Sequence, residues 1–503
     1  MPQDIAFAEQ SSPDFRTGPF SRRKVDAKAW KRAAEEAAGG ALTLTGLWAH
    51  RGSVHMALLD ETAKRIGIVS LENRRKGFPS VGAIHAPAQR LERAIADLNG
   101  LVPEGSPDPS AWLDHGRWEI AHPLGKGEPA TDMPPYEFLP VEGDSLHRIP
   151  VGPVHAGIIE PGHFRFTAQG ETLVRLEARL GYTHKGIETL MAGAEIDQGL
   201  KLAGRTSGDS VVAYQWAFSQ AVEAALGVAV PARALYVRAI MAELERLANH
   251  LGDFGAICND AAFAMMLAQA GVLREKVLRA ADTAFGHRFM RDCIAPGGVD
   301  VDLASTGASA IRTLVDDVAG HFPKLAALYD NTASLLDRTV ATGFLDPDLA
   351  RRFGAGGFVG RASGRDFDTR RDLVYAPYDR LDFDVPVRED GDVNARVWIR
   401  IEEIRQSLSL IGQCLDALPD GPIRAERPAA GEAREGLGLV EGFRGDVLVW
   451  LALDGRGRIA RCHLRDPSWF QWPLLEAAVE GNIVADFPLC NKSFNCSYSG
   501  HDL

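Results

Sequence analysis

The chain has 503 residues, of which 46% are hydrophobic and 24% are charged. This is a globular composition that excludes a disordered or fibrous protein, and the length predicts about two to four domains, with two the simplest division. The net charge of -12 is spread along the chain without a basic stripe, which argues against a nucleic-acid partner.

The first 147 residues indicate a small domain and a linker. A helix is predicted over residues 27–38, followed by short apolar runs at 41–47 and 54–59, so residues 1–122 are assigned to a small α/β domain. Residues 123–147 are rich in proline and glycine and show little periodicity, which is typical of a linker. The second domain is therefore predicted to occupy residues 148–503.

Two antiparallel hairpins are predicted in this second domain. Val174, Leu176, Ala178 and Leu180 alternate with charged residues after a Gln169-Gly170 turn, which predicts one buried face. A similar alternation over residues 447–453 is followed by the turn DGRG (454–457) and a strand over 459–464.

Long helices are predicted between the hairpins, over residues 231–251, 261–284, 308–336 and 397–415, from apolar residues at three- and four-residue steps. We expect an α+β protein, with a small N-terminal α/β domain and a large domain whose central helical bundle carries peripheral antiparallel β hairpins.

Cysteines and apolar segments indicate the compartment. The sparse, irregular spacing of the six cysteines is typical of a reducing compartment and predicts no disulfide framework. The N-terminal MPQDIAFAEQ lacks the apolar core of a secretory signal, so we expect a cytoplasmic protein. The most apolar stretch, residues 211–230, contains Gln215, Gln220 and Glu223, so no transmembrane segment of its own is predicted.

Common catalytic motifs are missing from the sequence. The glycine cluster GAGGFVG (354–360) does not have dinucleotide-binding spacing and is interpreted as a flexible loop. The sequence has no Walker loop, no H-E-x-x-H, no G-x-S-x-G and no pair of C-x-x-C motifs, so hydrolase, kinase and zinc functions have no support.

Several ordered segments carry a family resemblance: HAGIIEPGHFRF (155–166), GETLVRLEARLGYTHKGIETL (170–190), AELERLANHL (242–251), APGGVD (295–300), RRDLVYAPYDRLDFDVPVREDGD (370–392) and RIEEIRQSLSLI (400–411). They resemble the large subunits of energy-converting nickel-iron hydrogenases and, equally, the quinone-site large subunit of complex I. A weaker match at 85–109 resembles the complex I subunit that is often fused ahead of this one. The resemblance covers nearly all of residues 148–503.

The resemblance implies where nickel ligands would lie. The family's first metal-binding segment, C-G-x-C, corresponds to SGDS (207–210), so Ser207 and Ser210 replace both cysteines and, with Gly208 and Asp209, are the expected cofactor-binding residues. The second segment, D-P-C-x-x-C, is matched to FPLCNK (487–492), which puts Leu489 and Lys492 at the ligand positions. Nickel needs soft thiolates, so no nickel-iron centre is predicted.

The C-terminal tail contains Cys490, Cys496 and His501 in a C-x5-C-x4-H pattern. These residues are weak candidates for a displaced metal site. The alternative is that the thiols are packing residues and the histidine hydrogen-bonds a carbonyl, and no metal site is predicted from this spacing.

Quinone chemistry in the family uses a tyrosine and a histidine. The tyrosine position is Gly208 here, while the histidine loop is represented by His155 to His163. Asp260 matches the aspartate that partners the histidine, and a carboxylate beside an imidazole suits proton delivery. The alternative is that Asp260 caps a helix beginning at Ala261.

Two further residues are expected at the site from the resemblance. Glu188 lies where the family implies a proton-path carboxylate, although it equally fits a surface or capping role. Arg205 directly precedes the altered ligand pair, where a guanidinium would stabilise anionic ligands or a neighbouring cluster, or would form a structural salt bridge.

Three functions follow from these residues. The first is electron and proton transfer to quinone or another small acceptor, in the cavity that would hold the nickel-iron centre in related hydrogenases. The second is a non-catalytic scaffold that bridges an iron-sulfur subunit and membrane ion-transporting subunits. The third is an active nickel-iron hydrogenase with unorthodox ligands.

The chain has no iron-sulfur cysteine pattern of its own. The resemblance therefore implies an iron-sulfur small subunit and antiporter-like membrane subunits as partners. It places the protein peripherally on the cytoplasmic side of the bacterial inner membrane.

Overall fold

The computed structural model describes residues 21–72, 76–129, 132–143, 145–156, 159–428 and 431–503. The N-terminal segment without a signal core lies outside these residues. The chain folds into the predicted α+β arrangement, with a small sheet-containing N-terminal part ahead of a large helical part.

The N-terminal part pairs a mixed four-stranded sheet with two helices. Its elements are β1 (Ser21–Val25), α1 (Ala27–Ala38), β2 (Thr43–His50), β3 (Ser53–Asp60), β4 (Arg65–Glu72), β5 (Gly77–Pro79), α2 (Gln89–Asn99) and β6 (Val102–Glu104). The order is β1-β4-β3-β2, with β1 parallel to β4. The Asp26 carboxylate accepts the Ala29 backbone N–H and caps α1, which spans the predicted residues.

A short hairpin of β7 (Ile120–Ala121) and β8 (Glu128–Pro129) leads into residues 132–143, which contain no helix or strand. The next sheet contains β9 (Leu146–Val151), β10 (His163–Gln169) and β11 (Thr172–Arg179). The predicted hairpin at the Gln169-Gly170 turn is present. Its predicted buried face is wrong at Val174, which is exposed, because a bulge shifts the register and Leu173 is buried instead.

The helical part is built on long, apolar helices. In chain order its elements are α3 (Ile187–Met191), α4 (Ile196–Ala203), α5 (Val211–Leu226), α6 (Ala232–Asp260), α7 (Ala264–Phe285), β12 (Ile294–Ala295), β13 (Gly298–Val299), α8 (Ser305–Asp330), α9 (Ala333–Thr339), α10 (Pro347–Arg352), α11 (Gly357–Arg361), α12 (Thr369–Asp372) and α13 (Val393–Asp416). The four predicted helices correspond to α6, α7, α8 with α9, and α13. The third is split because α8 ends at Asp330 and α9 starts at Ala333.

A three-stranded antiparallel sheet and three short helices complete the chain. They are β14 (Arg434–Gly442), β15 (Gly445–Leu453), β16 (Ile459–Arg465), α14 (Ser468–Ala478), α15 (Phe487–Phe494) and α16 (Tyr498–Asp502). The predicted hairpin is β15–β16, and α5 packs across β14.

The glycine cluster at 354–360 is not the flexible loop that the sequence suggested. It enters the buried helix α11, and a Cβ at Gly360 would lie 1.8 Å from the Ala355 carbonyl oxygen. These glycines therefore serve close backbone packing. In the part of the chain that the structure describes, no helix is both long and apolar enough to cross a membrane.

Candidate functional site

The loop between α4 and α5 brings Ser207, Asp209 and Ser210 together, as their spacing predicts. The Ser207 hydroxyl donates to Asp209 Oδ1 at 2.7 Å, and the Ser210 hydroxyl lies 3.3 Å from the same oxygen. Both serines are buried, whereas Gly208 between them is exposed and a Cβ there would meet no atom within 4 Å. The loop therefore has a hydrogen-bonded interior and an open outer side.

Arg444 reaches this loop from the turn between β14 and β15. Its guanidinium binds both carboxylate oxygens of Asp209, with Nη1 at 2.8 Å from Oδ1, and Nη1 is 3.2 Å from Ser210 Oγ. Burial alone would raise the pKa of Asp209, but Arg444 holds it below its usual value. Asp209 is therefore a carboxylate at neutral pH.

The C-terminal tail also contributes a residue to the site, Ser497. Its Oγ lies 2.9 Å from Ser207 Oγ and accepts the Gly500 backbone N–H at 2.8 Å. We call Ser207, Asp209, Ser210, Arg444 and Ser497 the serine-aspartate cluster.

This arrangement corrects the predicted second ligand pair. Leu489 is buried in the main hydrophobic core, and Lys492 lies near Asp260. Ser497 is the tail residue that contacts Ser207. The S-x-x-G spacing of Ser497 and Gly500 repeats the spacing of Ser207 and Ser210, eight residues after the positions that the sequence interpretation chose.

The weak metal candidates of the tail have separate surroundings. Cys490 and Cys496 are buried among hydrophobic side chains, and burial raises the pKa of both thiols. His501 stacks on Trp469 with ring centroids 4.2 Å apart and bonds Asp502 at 2.8 Å. Across the described ranges, no three His, Cys, Asp or Glu side chains lie close enough to share a metal ion.

Glu188 lies outside the cluster, in a buried ion pair. Its oxygens contact Arg461 at 2.7 Å, His463 Nδ1 at 2.9 Å and the Leu464 backbone N–H at 2.9 Å. Burial alone would raise its pKa, but Arg461 and His463 lower it to about 2. The alternative surface role is therefore wrong, and the carboxylate stays ionised, which does not suit a group that exchanges protons near neutral pH.

The predicted contact between Asp260 and a histidine of the loop from His155 to His163 is not formed. His155 Nε2 bonds the Gly162 carbonyl at 2.7 Å, and His163 Nδ1 lies 3.3 Å from the Gly152 carbonyl. No hydrogen bond between Asp260 and either histidine occurs within the described residues. Asp260 is the last residue of α6, and since α7 begins at Ala264, the helix-capping alternative is also wrong.

Arg205 forms a structural salt bridge, which was the alternative to a role in stabilising ligands. Both its terminal nitrogens bind Asp292, at 2.8 and 2.7 Å, on the exposed side of the loop. Its guanidinium therefore neutralises Asp292 and has no contact with the serine-aspartate cluster among the described residues.

Comparisons with known proteins agree with this architecture. Residues 27–134 match the family model of the 30 Kd subunit of respiratory-chain NADH dehydrogenase, and residues 260–435 and 428–502 match that of its 49 Kd subunit. Formate hydrogenlyase subunit 5 of Escherichia coli (strain K12) is 33% identical over 453 residues, which are 86% of this chain and 78% of that protein.

Two further relatives represent the two branches. Hydrogenase-4 component G of the same organism is 32% identical over 476 residues, with 92% of this chain and 82% of that protein covered. An NADH-quinone oxidoreductase subunit of Dehalococcoides mccartyi is 33% identical over 342 residues, 67% of this chain and 92% of that protein. The chain belongs to the complex I and hydrogenase large-subunit family. It is a fused member, with the 30 Kd-like region first, and a subunit of a complex I-like or hydrogenase-like oxidoreductase.

Two cluster members were missed by the sequence interpretation. Arg444 follows no motif, and nothing local links it to Asp209, which is 235 residues away in the chain. Ser497 had a signal, because the tail SYSG repeats the S-x-x spacing of SGDS. The segment AELERLANHL also contains Asn249, whose amide donates to the Asp209 carbonyl at 2.8 Å and supports the loop.

Proposed function

We propose that this chain is the electron- and proton-transferring large subunit of a membrane-associated complex, and that quinone or another small oxidant reacts at the serine-aspartate cluster in place of a nickel-iron centre. The observation that carries the proposal is the direct contact of Ser207 with Ser497, beside the Asp209–Arg444 ion pair. Two segments 290 residues apart in the chain meet here through serine hydroxyls.

The residues of the cluster do not fit a nickel-iron centre. Hydroxyls are hard ligands that stay protonated at neutral pH, and the Arg444 guanidinium between them repels a cation. Gly500, three residues after Ser497, has no side chain that could be a ligand, and a Cβ there would lie 2.5 Å from Asp466 Oδ2. The cluster instead offers hydroxyl donors and a guanidinium to an oxygen that gains negative charge during reduction.

An exposed apolar face supports assembly with partner subunits. Residues 261–273, AAFAMMLAQAGVL, carry no charge, and Met265 and Val272, which lie on the same face of α7, are exposed. Exposed apolar surface of this kind is found at interfaces. We assign to this complex an iron-sulfur small subunit that supplies electrons and antiporter-like membrane subunits, which would hold the chain peripherally at the cytoplasmic side of the inner membrane.

Elemental analysis and activity of the purified complex test the proposal. We expect no stoichiometric nickel, and electron transfer to a soluble quinone that Asp209→Asn reduces at least about tenfold, because a factor of ten corresponds to the loss of one strong charge-assisted contact. Asp317→Asn is the matched control, since Asp317 forms a surface ion pair with Lys276. One nickel per chain, or equal activity in both variants, would contradict the proposal.

A further inference from the structure

Glu245 is a second buried carboxyl group beside the cluster. It projects from α6 toward the first turn of α5, where its oxygens accept the backbone N–H groups of Val212 at 2.7 Å and Ala213 at 3.1 Å. It is 9% exposed. Among the residues that the structure describes, no lysine, arginine or histidine forms an ion pair with it.

The charges around Glu245 leave it without a counterion. Asp209 is an anionic neighbour that raises the pKa of Glu245, and the guanidinium of Arg444 is already bound to Asp209. Arg246, the next residue of α6, points to Glu243 and Glu403. A buried carboxyl group beside an ionised carboxylate, with no ion pair of its own, does not ionise cheaply.

These surroundings raise the pKa of Glu245. Burial, with a smaller contribution from Asp209, raises its pKa from the usual 4.5 to about 8, although the two backbone N–H groups act in the opposite direction. The neutral acid is therefore the main form at pH 7, and the carboxylate is reached within one to two pH units.

A small cavity lies beside Glu245. It has a volume of about 20 Å³, and its lining includes Asp209, Glu245, Asn249, Arg274 and Arg288. A cavity needs roughly 10–15 Å³ to hold one water molecule. Arg288 lines this cavity and is exposed, so the cavity that Glu245 lines also borders a residue of the protein surface.

We propose that Glu245 is a proton-exchange residue of this site, which takes protons from water in the cavity and passes them toward the serine-aspartate cluster. In each exchange one proton leaves a carboxyl oxygen of Glu245 and gives a carboxylate, and one proton from solvent water restores the acid. The binding and release of protons by Glu245 is inferred from its geometry. The use of these protons in the reduction of an oxidant rests on the proposed function, in which the iron-sulfur subunit supplies the electrons.

Infrared difference spectroscopy of the full chain across neutral pH tests the proton-binding step directly. A protonated carboxyl group has its own carbonyl stretch, and we expect such a band to disappear with a midpoint near pH 8. Burial also raises the pKa of Glu92 and Glu441 to about 7, so both can contribute bands of lower midpoint. Glu245→Gln should remove the component with a midpoint near pH 8 and leave those components in place. Glu188→Gln is the matched control and should leave the component near pH 8 unchanged, because Glu188 is ionised throughout this range.

A second variant covers the case in which Glu245→Gln does not fold. Asp209→Asn removes the neighbouring negative charge, so it should move the midpoint of the band to lower pH. A component near pH 8 that persists in Glu245→Gln, or whose midpoint does not move in Asp209→Asn, would overturn the inference. Neither result bears on quinone-dependent activity, so failure of this inference is distinguishable from failure of the proposed function.

Discussion

The serine-aspartate cluster and a buried charge network meet at the β14–β15 turn but differ in their access to solvent. We define the buried charge network by its members, Glu243, Arg246, His250, Arg361, Asp368, Arg370, Glu403 and Glu441, all 0–2% exposed. Arg246 donates to the carbonyls of Glu441 and Gly442, at 2.7 and 2.9 Å, and so fixes the turn that carries Arg444. Asp209, in contrast, is about a third exposed.

The difference lies in how many partners each charge has. Arg361 alone contacts Asp368, Glu403 and Glu441, so removing one member leaves several buried charges unpaired. In the cluster Asp209 has one counterion, and Gly208 next to it faces open space. The chemistry of the open loop can therefore change without disturbing the network that holds the fold.

Arg361→Ala tests the network and should have the largest effect. It leaves three buried carboxyl groups without a shared cation, and losing one partner of a buried ion pair costs about 3–5 kcal/mol. Denaturant unfolding of the full chain measures this loss in the free energy of unfolding. The exposed Arg279→Ala, from an i,i+4 pair with Glu275, is the control and should cost less than about 0.5 kcal/mol. Equal losses in both variants would show that the network is not a stabilising unit.

Glu188→Gln should have the second-largest effect on the free energy of unfolding, and this effect should depend on pH. The folded pKa of about 2 is below the usual 4.5, so ionised Glu188 contributes stability fully above pH 4.5, and the contribution is lost as pH falls toward 2. The shift corresponds to about 3 kcal/mol at pH 7. Unfolding curves of wild type and variant should therefore converge as the pH is lowered below about 4.5. A constant difference across this range would contradict the assignment of an ionised carboxylate.

The fold was largely predictable where periodicity is strong. Helix α1 matches its predicted residues, and α13 extends the predicted 397–415 by a few residues at its start. Strand β14 was missed because its sequence, REGLGLVEG, contains glycines that weaken a strand signal. Those glycines admit the backbone of α5, since a Cβ at Gly436 would lie 1.8 Å from the Ala221 carbonyl oxygen.

The site was predictable only in its local part. Ser207, Asp209 and Ser210 are neighbours in sequence, so their spacing located the loop. Arg444 and Ser497 come from segments more than 200 residues away, and the fold alone decides that they meet there. The roles assigned to Glu188, Arg205 and Asp260 depend on side-chain partners that no local pattern encodes.

Asp209→Asn should have a smaller effect on stability than either change above. It removes the counterion of Arg444, which is buried, but Asp209 itself is about a third exposed and Asp466 and Asp253 still act on the guanidinium. We therefore expect a loss of about 1–2 kcal/mol, partly screened by salt. Chemical unfolding at low and high ionic strength measures both properties. A loss as large as that of Arg361→Ala would place the cluster within the structural network and remove the contrast between the two regions.

Gly208→Tyr should have the smallest effect on stability and the most informative one on function. Gly208 does not have a positive φ, it is exposed, and open space lies beyond its Cα, so a side chain should cost less than about 0.5 kcal/mol. A phenol at this position would return a proton donor to the cluster. If quinone is the oxidant, kcat/KM for quinone reduction by the complex should rise. Gly208→Phe is the control, because it adds the ring without the hydroxyl. An equal rise in both variants would assign the gain to stacking. A fall in both would show that the substrate needs the open space at Gly208.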